Sequence, residues 1–257
     1  GFSVEFSEYR QYAQGDDPRF LDWKLFARTD RSYIRLFEDE TNLRCCILLD
    51  ISSSMTFSSL AWSKLQYAAT VAASLAWLMN RQGDAVGLTL FDDQVRTVIP
   101  PRYRPGHFRR LMTTLEEPGS GVQTDPSVAL EDIARRLRKR GLVILISDLL
   151  SPVQKFGDGL RMLRGCLHDL VVFQVLDPAE LTLKFDGPRL FEDLESEQRI
   201  FADPDAIRSE YLQRLDEHNR MVREECETAG ASLRMLATDQ PLELSLAEFL
   251  QARRQRR

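Results

Sequence analysis

From residue 43 onward, short runs of apolar residues alternate with longer amphipathic segments. The strand-like runs lie at 43–50, 85–91, 95–99, 142–148, 170–176 and 232–238. Nearly continuous apolar runs such as "CCILLDI" are typical of strands that helices cover on both faces. The pattern therefore predicts an α/β protein with a doubly wound, mostly parallel six-stranded sheet flanked by helices, in which 95–99 is an antiparallel edge strand.

The rest of the chain predicts a small addition to this sheet domain. Residues 43–252 form the main domain, and residues 1–42 form an N-terminal arm and strand. The segment 178–203 contains a polar hairpin, which we expect to join residues 1–42 in a small β-rich appendage. Residues 253–257 are a basic tail.

The overall charge and the cysteines narrow the class of protein. A formal net charge of −5 argues against nucleic acid as a partner, because such partners require a basic surface. The four cysteines have no CxxC spacing, which argues against a zinc site or a disulfide framework. No signal peptide is visible, so the sequence predicts a cytoplasmic protein. Because the chain begins at Gly1 rather than Met, tethering to a membrane through an upstream segment is the alternative.

Polar oxygens follow two of the predicted strands. Asp50, Ser52 and Ser54 alternate at the end of the first strand, and Asp148 ends the strand at 142–148. Thr124 stands just before a predicted helix. Ligands of such sheets bind beyond the carboxyl ends of the strands, where the chain order reverses. The five residues therefore predict a site for a hard cation, Mg²⁺ first and Mn²⁺ or Ca²⁺ as alternatives.

Three other roles for these residues are weaker. A serine nucleophile needs a general base, and the three histidines are scattered along a chain that has no G-x-S-x-G motif. An aspartyl nucleophile of the haloacid-dehalogenase type would have a second aspartate where Ser52 stands. Capping of the next helix would need one such residue rather than three.

The set Asp50, Ser52 and Ser54, followed by Thr124 and Asp148, resembles the metal-ion-dependent adhesion site of von Willebrand factor A domains. The resemblance implies that the two serines and the threonine bind the ion directly, while one or both aspartates act through water. It also implies an open coordination position that accepts an acidic side chain of a protein partner.

A longer motif precedes the sheet domain. The segment "FSEYRQYAQGDDPRFLDWKLFART" at 6–29 is similar to the signature of the bacterial family called domain of unknown function 58, or DUF58. The later "RLFEDLE", followed by Asp203 and Pro204, is similar to that family's hairpin, whereas Gln14 departs from its usual proline. Such proteins are typically encoded beside MoxR-type AAA+ ATPases, which implies an adaptor role in a chaperone-like assembly.

Together these observations predict a Mg²⁺-dependent protein-interaction module that is not an enzyme, with a MoxR-type AAA+ ATPase as the partner. The alternative is a hydrolase that uses the same metal to activate water. A hydrolase should carry an acid or base near the ion, and the loops after Asp50, Thr124 and Asp148 offer no convincing one.

Overall fold

In this computed structural model the chain divides into two compact units, Gly1–Leu43 and Arg44–Arg257. The structure describes residues 4–11, 22–29, 31–39, 43–119, 121, 126–137, 139–194 and 198–242. Three β-sheets are present in these ranges: a large one of six strands and two small ones of two strands each.

The first unit is an antiparallel strand pair with one short helix. Strands β1 (Val4–Gln11) and β2 (Tyr33–Asp39) run in opposite directions, with Val4 opposite Asp39 and Gln11 opposite Tyr33. Helix α1 (Trp23–Thr29) lies between them in the chain. Asp22 caps this helix, because its Oδ1 accepts a hydrogen bond from the Leu25 amide at 3.1 Å.

The second unit contains the other eight strands. They are β3 (Arg44–Asp50), β4 (Ala85–Phe91), β5 (Val95–Arg102), β6 (Leu142–Ser147), β7 (Asp169–Leu176), β8 (Arg189–Glu192), β9 (Arg199–Ala202) and β10 (Ser232–Ala237). The large sheet has the order β10-β7-β6-β3-β4-β5, and every neighbouring pair is parallel except β4 with β5. The predicted doubly wound, mostly parallel fold with an antiparallel edge strand is confirmed.

Six helices pack around the sheet or follow it. They are α2 (Lys64–Arg81), α3 (His107–Glu116), α4 (Pro126–Arg136), α5 (Val153–Gly165), α6 (Pro178–Thr182) and α7 (Pro204–Thr228), and a 3₁₀ turn covers Ser53–Thr56. Helix α2 begins at a capping box, in which Ser63 and Gln66 exchange side-chain and backbone hydrogen bonds. It ends where Gly83 adopts a φ of 80°, a conformation that glycine reaches without a steric penalty.

Burial of β3 and β6 explains their apolar sequences. All of β6 and all of β3 after Arg44 is buried, because helices cover both faces of the sheet. These two strands are neighbours in the sheet but are separated along the chain by two other strands and three helices. The chain order therefore reverses between them, and the two strands end side by side at the same edge.

The hairpin predicted near Arg189–Ala202 is present as β8 and β9, which pair antiparallel with Phe191 opposite Ile200. The association of segment 178–203 with residues 1–42 stays a prediction. The basic tail predicted at 253–257 lies outside the described residues.

Candidate metal site at the carboxyl edge of the sheet

Asp50, Ser52 and Ser54 form one compact loop at the end of β3. Asp50 and Ser52 are fully buried, and Ser54 is half-buried. The Asp50 Oδ1 accepts a hydrogen bond from the Ser52 amide at 2.9 Å, and the Oγ atoms of Ser52 and Ser54 are 3.1 Å apart. The tight turn therefore places side-chain oxygens of all three residues in one loop, while their binding of a metal ion stays a prediction.

The turn after β6 is connected to Asp50 through Ser147. The Ser147 hydroxyl donates to Asp50 Oδ2 at 2.6 Å and accepts from the Leu149 amide at 3.1 Å. Leu149 has a φ of 57°, an unusual conformation for a side chain of its size. Such local strain is tolerated where surrounding contacts enforce it, and it is often found at functional sites. Asp148 lies between these two residues, so its carboxylate is held beside the Asp50 loop.

Asp148 has a buried basic partner that the sequence did not indicate directly. The Lys64 Nζ lies 2.9 Å from Asp148 Oδ2 and 2.6 Å from Glu180 Oε1, and the Lys64 side chain is fully buried. These two carboxylates raise the pKa of Lys64 against the opposing effect of its burial. The ammonium is therefore charged, and it joins the start of α2 to the end of β6 and to α6.

Asp50 has no basic partner among the contacts that the structure describes for it. Burial, together with the negative charge of Asp148, raises the pKa of Asp50 to about 7, although its hydrogen bonds from Ser147 and Ser52 act in the opposite direction. A nearby cation would favour the ionised form of this carboxyl group. The electrostatic environment at Asp50 thus favours binding of a positive ion.

Two further aspartates at this edge serve the fold. Asp92, which follows β4, accepts hydrogen bonds from Arg96 at 2.8 Å and from the Gln94 amide at 3.0 Å. Asp177, which follows β7, caps α6 through the Ala179 amide at 2.8 Å. It also accepts from the Ser59 amide at 2.9 Å. The carboxylates of Asp92 and Asp177 are thus already hydrogen-bonded, to backbone amides and, for Asp92, to Arg96.

Thr124 lies outside the described residues, but the loop that leads to it is fixed at Gly121. The Gly121 amide donates to the Ile51 carbonyl at 2.6 Å, and the Ser53 hydroxyl donates to the Gly121 carbonyl at 2.8 Å. A Cβ atom at Gly121 would lie 2.5 Å from the Cβ of Asp92, so only glycine fits here. The chain therefore passes against the Asp50 loop three residues before Thr124.

The chemistry of these side chains fits Mg²⁺. Carboxylate and hydroxyl oxygens are ligands that hard divalent cations prefer, and Mg²⁺ needs only one or two carboxylates. When all four groups are ionised, Asp50, Asp148, Glu180 and Lys64 carry a net charge of minus two. Within the ranges that the structure describes, no group of three or more His, Cys, Asp or Glu side chains is placed to hold a metal ion, so the candidate ligands include hydroxyl oxygens.

Lys64, Glu180 and Ser147 are the site neighbours that the sequence prediction missed. Lys64 stands four residues before Ala68, on the apolar stripe of α2, so its position on a buried face was a usable signal. Glu180 completes a capping box with Asp177, since its Oε2 accepts from the Asp177 amide at 2.8 Å. That motif predicts the start of a helix, but it does not predict the partner of the second carboxylate oxygen.

Comparison with known proteins identifies the family. Residues 8–221 match the family model described as protein of unknown function DUF58. The chain belongs to this family. An uncharacterized protein of Mycobacterium tuberculosis is 29% identical over 260 residues, which cover 99% of this DUF58 chain and 81% of that protein. Another uncharacterized protein, from Mycobacterium avium, is 28% identical over 149 residues, or 57% of this chain and 85% of that one.

Solved structures show where the DUF58 fold recurs. An aerotolerance-related membrane protein from Bacteroides fragilis, with multiple mutations to serines, superposes with a TM-score of 0.59 at 17% identity. The match covers 82% of this chain and 98% of that one. The conserved hypothetical protein BatB from Bacteroides thetaiotaomicron gives a TM-score of 0.54 at 15% identity, over 80% and 95% of the two chains. At these identities the similarity shows a shared fold.

Among the residues that the structure describes, no helix of this DUF58 chain is both long and apolar enough to cross a bilayer.

Proposed function

We propose that this DUF58 domain binds Mg²⁺ through Asp50, Ser52, Ser54, Thr124 and Asp148 and uses the ion to bind an acidic side chain of a protein partner. The main support is the position of the oxygens at the point where the chain order of the sheet reverses. The 3.1 Å separation of the Ser52 and Ser54 hydroxyls adds a second, independent support. Neutral hydroxyl ligands leave a bound Mg²⁺ electrophilic. The ion would therefore supply a coordination position for a carboxylate of the partner.

Binding is favoured over hydrolysis because the histidines are already used. His107, His168 and His218 each place Nε2 within 3.0 Å of a backbone carbonyl, those of Val86, Leu137 and Leu149 respectively. A hydrolase would need a free acid or base beside the ion to activate water. The Nε2 of His218 is 2.7 Å from the carbonyl of Leu149, the residue after Asp148, and this hydrogen bond holds the turn after β6.

The partner that we propose is a MoxR-type AAA+ ATPase, for which the domain would be an adaptor. This proposal follows from the resemblance of segment 6–29 to the DUF58 signature, together with the match of the family model. The cytoplasmic location, with membrane tethering in a longer chain as the alternative, is part of the same proposal.

Binding of the purified ATPase in Mg²⁺ and in EDTA tests this function. We expect binding in Mg²⁺ only, and we expect Asp50→Ala to abolish it while the circular dichroism spectrum is unchanged. Asp158→Ala is the matched control, because that aspartate is exposed and forms a surface ion pair with Arg161. Turnover of a phosphate ester or a peptide that is lost in Asp50→Ala would support the hydrolase instead.

A further inference from the structure

A cleft of 620 Å³ opens directly beside the candidate metal site. Its lining includes Ser54 and Asp148 of that site and the hairpin residues Phe191 and Ile200. Tyr211 of α7 contributes to its lining. A partner whose acidic side chain reached the metal would therefore have its neighbouring residues in this cleft.

The walls of the cleft expose large apolar side chains. Leu150, Leu194 and Ile200 have 42%, 45% and 64% of their surfaces exposed. Exposed apolar residues that cluster beside a polar site are typical of protein-interaction surfaces. Because Phe191 is paired with Ile200 across the hairpin, both side chains lie on the same face, and that face lines the cleft.

The charges of the cleft are all of one sign. Asp148, Glu180, Glu192 and Asp193 line it, and no Lys, Arg or His occurs among the described residues that form its walls. Lys64 pairs with Asp148 and Glu180 from the protein interior, and Arg199 pairs with Glu192 at 2.8 Å. Because these two cations serve three carboxylates and neither lies in the lining, the cleft keeps an excess of negative charge that favours cationic over anionic side chains.

We propose that this cleft binds a short segment of the protein partner in which apolar and basic residues flank the acidic residue that reaches the metal. The inference rests on the function proposed above, because the metal supplies the contact for the acidic residue. The carboxylates of the cleft then select Arg or Lys beside it, and Leu150 and Ile200 bind the apolar residues. A segment rich in acidic residues would bind the metal but would be repelled by the cleft.

Three fluorescent peptide pools test the proposal. Each pool has a fixed central aspartate, with flanking positions drawn from Leu, Phe, Arg and Lys, from Leu, Phe, Asp and Glu, or from Ser and Gly. Fluorescence polarisation with the whole chain is measured in Mg²⁺ and in EDTA. We expect the apolar and basic pool to bind most tightly, and only in Mg²⁺. Absence of binding by this pool, or equal binding by the acidic pool, would overturn the proposal.

The hairpin offers a matched pair of variants. Ile200 lines the cleft, whereas its neighbour Phe201 points to the opposite face and is 74% exposed. We expect Ile200→Ser to weaken binding of the apolar and basic pool about tenfold, as for loss of one apolar contact, and Phe201→Ser to leave it unchanged. Titration calorimetry with MgCl₂ alone should give the same affinity for both variants and the wild type.

The two proposals fail in different ways. If peptide binding requires Mg²⁺ and Asp50 but Ile200→Ser and Phe201→Ser behave alike, the cleft is not the binding surface and the metal-dependent function stands. If the peptides bind equally well in EDTA and to Asp50→Ala, the proposed function is wrong, and the inference about the cleft fails with it.

Discussion

The Lys64 Nζ lies 2.9 Å from Asp148 Oδ2 in the interior of the protein, where neither side chain is more than 2% exposed. The same ammonium lies 2.6 Å from Glu180 Oε1. A buried pair of this kind does not necessarily stabilise a protein relative to apolar residues, but loss of one partner is costly because the other charge is left buried. Lys64 therefore sets the charge of the site before any metal binds.

Replacement of Lys64 should destabilise the metal-free protein. We expect Lys64→Met to lower the free energy of unfolding by about 3 kcal/mol in EDTA, because Asp148 and Glu180 would lose their common counter-charge. Mg²⁺ should restore part of this loss, since a bound cation would replace the missing charge. Urea unfolding in EDTA and in Mg²⁺ measures both effects. Lys155→Met, at an exposed position of α5, is the control, and an equal loss in the two variants would contradict the assignment.

The raised pKa of Asp50 predicts a pH dependence of stability in EDTA. Because the folded protein holds this pKa near 7, well above the value of about 4 in an unfolded chain, folding favours the protonated carboxyl group. The stability linked to Asp50 is therefore fully present below about pH 4 and is lost as the pH rises through about 7. Asp50→Asn should remove this loss and stabilise the metal-free protein at pH 8 by roughly 2 to 4 kcal/mol.

The comparison between two pH values separates this effect from general changes in the fold. The gain from Asp50→Asn should be larger at pH 8 than at pH 5, when both unfolding curves are measured in EDTA. A gain that is the same at pH 5 and pH 8, or a loss at pH 8, would mean that burial and Asp148 do not raise the pKa of Asp50.

Gly121 should be intolerant of a side chain. A Cβ atom there would collide with Asp92, so Gly121→Ala should displace the loop that leads to Thr124. We expect a loss of about 1 to 3 kcal/mol in the free energy of unfolding and weaker Mg²⁺ binding in calorimetry. At Gly165, where nothing lies within 4 Å of an added Cβ, the same change should be neutral or slightly stabilising. Equal stability of the two variants would contradict the close approach at Gly121.

The reactivity of the four cysteines should show which of them are buried in the core. Burial raises the pKa of Cys46 to about 11 and that of Cys226 to about 12, and Cys45 is also buried. At pH 8 Cys46 and Cys226 carry almost no thiolate, and all three buried thiols are shielded from reagents, whereas Cys166 is exposed. We expect iodoacetamide to label the native protein at Cys166 and the urea-unfolded protein at all four cysteines. Rapid labelling of Cys46 in the native state would contradict the burial of β3.

The sequence predicted much of the sheet, because strands buried on both faces leave a clear signal. The run that became β3 and the aspartate at its end were assigned correctly, and the rule for the carboxyl edge placed Asp148 beside them. Lys64 was missed because long-range ion pairs have no spacing rule, since its two partners lie 84 and 116 residues away. The cleft was missed for a related reason, because its walls come from five parts of the chain that only the fold brings together.

The buried ammonium of Lys64 bears on how the abundance of the protein in the cell depends on magnesium. Many small metal-binding domains fold only when the ion is present, so that ion supply controls how much protein survives quality control. Here the chain carries its own counter-charge at the second aspartate, and its sheet packs against a large cluster of buried apolar side chains that involves no ion. We therefore expect fluctuations in magnesium to change how many molecules are engaged with a partner while cellular abundance stays constant.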